Sequence, residues 1–422
     1  MVTTPEPVEL AAAGYGVLPV DVLFDILLRL PADELCRLRL VCRSWRSLTS
    51  DPLFAKAHSS RHPHVVAVHT KSGEVHVVDL FAGDVLKRIR LDKKGCDGLS
   101  TQLDAVCVSH GWGQAYVLDV VTGAVVGDVT AEHRRKLNSS KPTTMLGYIP
   151  STGEYKVLRL QSAPSPMCEV TTLRGVGKGR WRRIRQRPPV SISSSSRHMA
   201  VIGGIAYFMV IPDFAVDEPV SIASFDLATE KWRPTTIRGP LSSLLVTSPD
   251  GGGDDESPMH YVSWLHFRLA TLNGYLVTVH YNYQQCSIDL WFLQDVNKSH
   301  WTKRYSVRYE LLPENFPQDH DDKHDDDDGH LWEEFYEEDD GYSSLGFSMV
   351  DGERFWEEFT QYHPLVVLDD GRIIFLLDRI LSEKAVRSYD PRTSTWTDLT
   401  MMSDDFPVGV HHGSLLCSGL QG

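Results

Sequence analysis

Cysteine is scarce in this chain of 422 residues, and the seven present (Cys36, Cys42, Cys96, Cys107, Cys168, Cys286 and Cys417) form no CxxC pair. Disulfide frameworks and zinc sites need paired, closely spaced thiols, so neither is indicated. Scattered thiols read as small apolar residues of a reducing compartment. No window approaches 18 uninterrupted apolar residues, which excludes a membrane-spanning helix from the pattern. The opening "MVTTPEPVELAAAGYG" has no basic start and no long apolar core. No secretory signal is therefore expected; residues 1–14 read as a disordered leader, and the site of action is expected in the cytoplasm, the nucleus or both. A nucleophile elbow, a phosphate-binding glycine loop and a zinc-binding helix are also missing, so no catalytic, cofactor-binding or metal-binding residue is assigned.

Excess positive charge is missing as well. The formal charge is −14, but Asp319 to Asp340 holds thirteen carboxylates against the single Lys323. Without that stretch the rest carries about −2, so nothing favours nucleic acid as a partner. The segment includes His320, His324 and His330, yet its spacing matches neither a calcium loop nor a zinc set. Runs of like charge repel, and an acidic, solvated insertion over about 313–343 is expected.

What is present is apolar surface concentrated near the start. In "LPVDVLFDILLRLPADELCRLRLVCRSWRSLTSDP" (18–52), Pro19 suits a helix start and Pro31 ends the first helix. Between them Asp21, Asp25 and Arg29 form one narrow polar stripe, and the remaining surface is apolar. A second helix is expected from about Asp33, with Leu35, Leu38, Val41, Cys42, Trp45 and Leu48 at helical spacing, ending at Asp51-Pro52. One more short turn is expected near Phe54 and Ala57. About 40 residues in so few helices cannot enclose that much Leu, Ile, Val and Trp. Either the helices dock on the rest of the chain, or another protein completes their core.

Leu18-Pro19, Ile26-Leu27, Leu30-Pro31, Leu35, Val41-Cys42-Arg43 and Trp45 resemble an F-box, with Asp51-Pro52-Leu53-Phe54 trailing it. The resemblance implies a domain at 15–60 whose helices share a hydrophobic core with a Skp-type adaptor, which in turn binds a cullin. Carried over by position, Leu18, Pro19, Ile26, Leu27, Leu30, Pro31, Leu35, Val41 and Cys42 are the expected adaptor-binding residues. Trp45 is expected chiefly as an internal pin that also touches the adaptor.

From residue 62 the pattern changes to short strands. "VHVVDLFAGDVL" (75–86) and "YVLDVVTGAVV" (116–126) repeat a strand, an Asp, a Gly-containing turn and a strand. "FDLATEKW" (225–232) and "YDPRTSTW" (389–396) share aromatic-Asp-x-x-Thr-x-x-Trp, and Asp289 with Trp301 reads as a looser copy. Asp and Thr in such hairpins bond the turn backbone, while the aromatic and the Trp pack inward. Each copy follows a Gly-containing hairpin, so the unit has about four strands; units of that size mark a β-propeller. An α+β chain is expected, with a small all-α head and an all-β propeller of six to eight blades over 62–422. "GYIPSTGEYKVLRL" (147–160) resembles the F-box-associated, kelch-like β domains of plant F-box proteins.

Two basic or serine-rich stretches have plain readings. In "KGRWRRIRQR" (178–187) Trp181 and Ile184 face the core while the arginines line a solvated edge strand; "SSSS" (193–196) reads as a flexible loop.

Together these features imply a non-catalytic substrate-recognition subunit of a Skp–cullin–F-box ubiquitin ligase, its β domain holding an unidentified target protein. The rival is a propeller that binds a small ligand or carbohydrate, or is an enzyme, with helices that merely pack on it.

Overall fold

The computed structural model describes residues 18–69, 72–91, 95–96, 98–110, 114–129, 142–161, 167–173, 180–211, 220–241, 266–282, 285–309, 360–379, 384–402, 408–411 and 415. The leader 1–14 and the acidic stretch 313–343 lie outside them. The chain divides at His62/Pro63 into a helical unit and a β unit that runs to Gly413.

The helical unit has four helices, α1 (Val20–Leu27), α2 (Ala32–Leu38), α3 (Arg43–Thr49) and α4 (Pro52–Arg61). Pro19 and Pro31 sit at the N-cap positions of α1 and α2, where a missing N–H costs nothing. The second helix expected from Asp33 to Ser50 is broken in two. Cys42 is extended and starts α3, its Sγ accepting from the Trp45 N–H at 3.5 Å. Arg39 spans the break, donating to the Thr49 carbonyl at 2.7 Å and to Thr49 Oγ1 at 3.2 Å. Asp51 both ends α3 and caps α4, where its Oδ1 accepts from the Leu53 N–H at 2.7 Å. This cap and Pro52 in the first turn start a ten-residue helix, longer than the single turn expected from the sequence.

Leu27, Leu35 and Phe54 form the centre of this unit, with Leu23, Phe24, Leu28, Leu30, Trp45 and Leu48 packed against them. The Phe24 ring meets Phe54 edge-on at 5.0 Å. Two histidines of α4 tie it to the end of α1: His58 Nε2 donates to the Leu30 carbonyl at 2.9 Å, and His62 Nε2 to that of Leu28 at 3.0 Å. His58 Nδ1 is buried without a partner among the described residues. A second proton there would be an unsatisfied buried charge, and burial accordingly lowers the His58 pKa to about 4.

In the β unit six antiparallel sheets form the blades of a propeller. Blade 2 runs Gly98–Gln102, Ala105–His110, Gln114–Asp119 and Val125–Asp128, from the innermost strand outward. Blade 3 follows with Thr143–Ile149, Glu154–Gln161, Met167–Leu173 and Arg182–Arg183, and blade 4 with Met199–Ile202, Ile205–Met209, Ser221–Asp226 and two short outer pieces. Blade 5 is Phe267–Leu272, Tyr275–Asn282, Ser287–Asp295 and His300–Arg308; blade 6 is Thr360–Val367, Ile373–Arg379, Lys384–Asp390 and Thr395–Met402. Blade 1 takes three strands from its start, His64–His69, Glu74–Asp79 and Val85–Arg90. Its innermost strand, Val408–His411, comes from the far end of the chain, pairing His64 with His411 and Ala67 with Val408. The inner strands contact one another in turn around the whole ring. Six blades is the low end of the expected range.

The core lies between blades. One cluster joins Phe208, Phe225 and Trp232 of blade 4 to Leu158 and Val170 of blade 3, and another joins Phe292 of blade 5 to Phe375 and Tyr389 of blade 6. Alternating strands place one set of side chains on each face of a sheet, so both faces are apolar here because each blade is covered on both sides.

The repeated aspartates make the outer hairpins. Asp79 Oδ1 accepts from the N–H groups of Phe81 and Ala82, and Asp226 Oδ1 from those of Ala228 and Thr229, at 2.7–3.0 Å. Asp119 and Asp390 do the same with Thr122 and Arg392. In blade 5 this role belongs to Asp295, which accepts from Asn297 and Lys298, and not to Asp289. Asp289 is buried within its strand, 3.2 Å from Lys303 Nζ. Four residues after each turn aspartate the backbone is left-handed, at Gly83, Gly123, Glu230, Ser299 and Ser394. Glycine takes that conformation without strain.

The hairpin tryptophans fasten neighbouring blades. Trp396 packs 5.0 Å from Tyr389, as expected, and its Nε1 also donates to the Arg308 carbonyl of blade 5 at 2.9 Å. Trp301 donates to the Arg238 carbonyl of blade 4 at 2.8 Å, and Trp181 to that of Val129 at 2.6 Å. Lys156 of the "GEYKV" strand is a fourth fastener. It is buried in blade 3, with its ammonium 2.7 Å from the Leu227 carbonyl and 2.9 Å from Glu230 of blade 4. Arg182 and Arg183 form the exposed edge strand expected of the basic stretch. The serine run differs from its expected flexible loop: Ser193 is buried against His198, and Ser196–His198 form a turn of 3-10 helix.

Candidate functional site

The surface of the helical unit carries the apolar side chains that its own core leaves out. Val22 and Ile26, one helical turn apart on α1, are exposed, Ile26 to 44%, together with Leu18 and Val20. The α2–α3 break exposes Leu40 to 88% and Val41 to 62%, and α4 adds Leu53. Pro19, Pro31 and Cys42 are exposed as well. Side chains of this size are worth roughly 1.5–3 kcal/mol each when fully buried, so an apolar set of this extent marks a contact surface.

The ten residues expected to bind an adaptor therefore divide. Leu18, Pro19, Ile26, Pro31, Val41 and Cys42 lie at the surface, and Leu30 and Trp45 are half-buried against the core. Leu27 and Leu35 are 1% and 0% exposed and support the surface only from beneath. Val20, Val22, Leu40 and Leu53 were not among the residues assigned to the adaptor from the sequence. Leu40 has a signal in retrospect: it is a large apolar residue off the helical period set by Leu35, Leu38 and Leu48.

The second candidate surface is one face of the propeller. Hairpins joining first to second strands, and the aspartate turns joining third to fourth, share one face and are mostly tight. At the other face the second strands end and the third strands begin, as at Met209 and Ser221, and the described link 184–198 enters blade 4. Variable connections on a rigid ring are where binding residues collect. At the mouth of this face Asp378 of blade 6 lies 3.3 Å from Lys384 Nζ, 3.7 Å from the Arg197 guanidinium of blade 4 and 4.0 Å from His363 Nε2. Arg268 of blade 5 is bonded to His198 Nε2 at 3.1 Å. A guanidinium can only donate, so Nδ1 of His198 carries the proton and donates to Ser193 Oγ at 2.7 Å. Burial, with Arg268 and Arg197 alongside, lowers the His198 pKa to about 3; burial and the same arginines bring His363 to about 3 as well.

A four-helix head with an exposed apolar surface, joined to a six-bladed propeller, is the architecture of an F-box protein with a β-propeller domain. Residues 15–59 match the F-box-like model, and residues 106–318 match the F-box associated beta propeller domain. The chain belongs to that family. Its relatives in Arabidopsis thaliana include F-box protein At3g07870, 26% identical over 338 residues that cover 70% of this chain and 73% of the relative. F-box protein At5g65850 is 25% identical, covering 69% and 71%. F-box/kelch-repeat protein At3g23880 is 26% identical, covering 53% and 66%. Among solved structures, the β-propeller domain of Cps50 (Swd1) from Myceliophteria thermophila covers 81% of this chain and 83% of its own, at 7% identity and a TM-score of 0.37.

Proposed function

We propose that this protein is the substrate-recognition subunit of a Skp–cullin–F-box ubiquitin ligase, acting in the cytoplasm, the nucleus or both. The exposed apolar set on the helical unit carries the reading: Leu18, Val22, Ile26, Leu40, Val41 and Leu53 are stabilised only when another chain covers them. A Skp-type adaptor covers this surface, and a cullin joins through the adaptor. The propeller holds the target so that its lysines stay near the ubiquitin-loaded enzyme. That is catalysis by proximity, and this chain breaks and makes no bond itself.

Co-purification of the full chain with a Skp-type adaptor tests the reading. The wild type is expected to form a stoichiometric complex and the Ile26→Asp/Val41→Asp variant none. A wild-type chain that is monomeric and indifferent to the adaptor overturns it.

A further inference from the structure

Six polar side chains from three blades meet at the propeller mouth, and among the described residues their charges do not cancel. Lys384 and Arg197 both face Asp378, at 3.3 and 3.7 Å. Lys384 is nearly enclosed, whereas Arg197 keeps 43% of its side chain exposed. Among the described residues one carboxylate faces both cations and cannot neutralise the two, and at 3.7 Å Arg197 is outside hydrogen-bond range. Its guanidinium therefore offers a fork of donors to an incoming group. His363 and His198, the neutral imidazoles beside them, carry no charge that an anion would meet, and both ring nitrogens of His198 are engaged by Arg268 and Ser193. Arg268 adds a further positive charge, fixed in place by its bonds to His198 and to the Phe267 carbonyl at 2.9 Å. The low-dielectric walls of such a mouth focus the field of these cations outward.

We propose that this mouth, between blades 4, 5 and 6, receives an anionic group of the target: a carboxylate or phosphate on an acidic or phosphorylated protein segment, gripped by Arg197 and Lys384. The proposal rests on the propeller being the target-binding domain. A carboxylate and a phosphate present the same planar or near-planar pair of oxygens to a guanidinium, so Arg197 suits either. The ring sets the site's precision. Arg197 follows directly on the buried Ser193 turn, and Lys384 and Asp378 sit at facing ends of paired strands, so the cations are held by the scaffold.

The test uses the full chain and three immobilised degenerate peptide libraries with a central phosphoserine, glutamate or serine. Retention on at least one anionic library is expected to exceed that on the serine library about tenfold at fixed salt. Arg197→Ala should abolish the preference. Arg197→Lys, which keeps the charge but loses the fork, should weaken it severalfold. Arg392→Ala, on the opposite face beside Asp390, should leave it unchanged. Preference for phosphoserine alone assigns a phosphate, and preference for both assigns any carboxylate-like group. Equal retention on all three libraries, or a preference that Arg197→Ala leaves intact, overturns the proposal. Adaptor co-purification is measured on the same variants. Its failure in the wild type would remove the ligase reading, whereas its persistence with equal library retention would remove only the anion site.

Discussion

Replacing Ile26 by Asp and, separately, Leu27 by Ala should produce opposite failures in neighbouring residues of one helix. Ile26 is 44% exposed, so covering it adds about 1 kcal/mol of apolar burial. An aspartate in its place loses that and puts a carboxylate under a partner, at a cost of several kcal/mol. The adaptor affinity should fall roughly 10²–10³-fold, since 1.4 kcal/mol is a factor of ten. The free protein should hardly notice. Ile and Asp differ little in helix propensity, and an acid in the last turn of α1 costs at most about 1 kcal/mol. Leu27 is 1% exposed at the centre of the helical core. Truncation to Ala should cost roughly 2–5 kcal/mol and melt a unit this small. Titration calorimetry against a purified Skp-type adaptor, with circular dichroism at 222 nm, reads both effects. An Ile26→Asp protein that is folded and binds within threefold of wild type would refute the surface assignment. A Leu27→Ala protein of unchanged stability would refute the core.

Three further outcomes follow from the packing. His58 has a pKa of about 4 folded, below its ordinary 6.5, so its contribution is complete above pH 6.5 and is lost as pH falls towards 4. That loss should reach roughly 3 kcal/mol. The urea midpoint of the helical signal should therefore drop between pH 7 and 4.5, and drop less in His58→Gln. Trp396→Phe removes the indole bond to the Arg308 carbonyl and should destabilise the propeller by about 1 kcal/mol, read by chemical denaturation. Burial pushes the Cys107 and Cys168 thiols up to about 12, while Cys42 is exposed. Iodoacetamide at pH 8 should modify Cys42 and spare the other two, and a bound adaptor should protect Cys42; equal labelling of all three would refute this.

The sequence carried the punctuation of the head and the period of the body. Pro19 marks a helix start, and Pro31 and Asp51-Pro52, read as helix ends, also start the next helices, because proline and a capping aspartate act locally. The α2–α3 break was hidden because Val41 and Cys42 continue the apolar period of Leu38 and Trp45, although both point to solvent. The choice between Ile26 and Leu27 was likewise hidden, since neighbouring apolar residues on a helix differ only in what covers them. In blade 5 the six-residue interval from Asp295 to Trp301 equals that from Asp226 to Trp232. The buried Asp289 drew attention because it follows an apolar strand in the same way. The meeting of Arg197, Lys384 and Asp378 depends on ring closure, which no local pattern records.

That closure also sets an order of assembly. The strand His64–His69 is made early, yet the strand that lies beside it, Val408–His411, is made about 340 residues later. At ribosomal speeds the delay is on the order of tens of seconds. Throughout it blade 1 presents an open strand edge, a template for unwanted pairing. The helices are complete by Arg61, and among the described residues their core draws on none of the later chain. An adaptor can therefore be engaged on the nascent chain before the receptor ring exists. A chain cut between Arg61 and Val408 would keep the helical head without a closed propeller and, on the proposed function, would occupy adaptor while presenting no target.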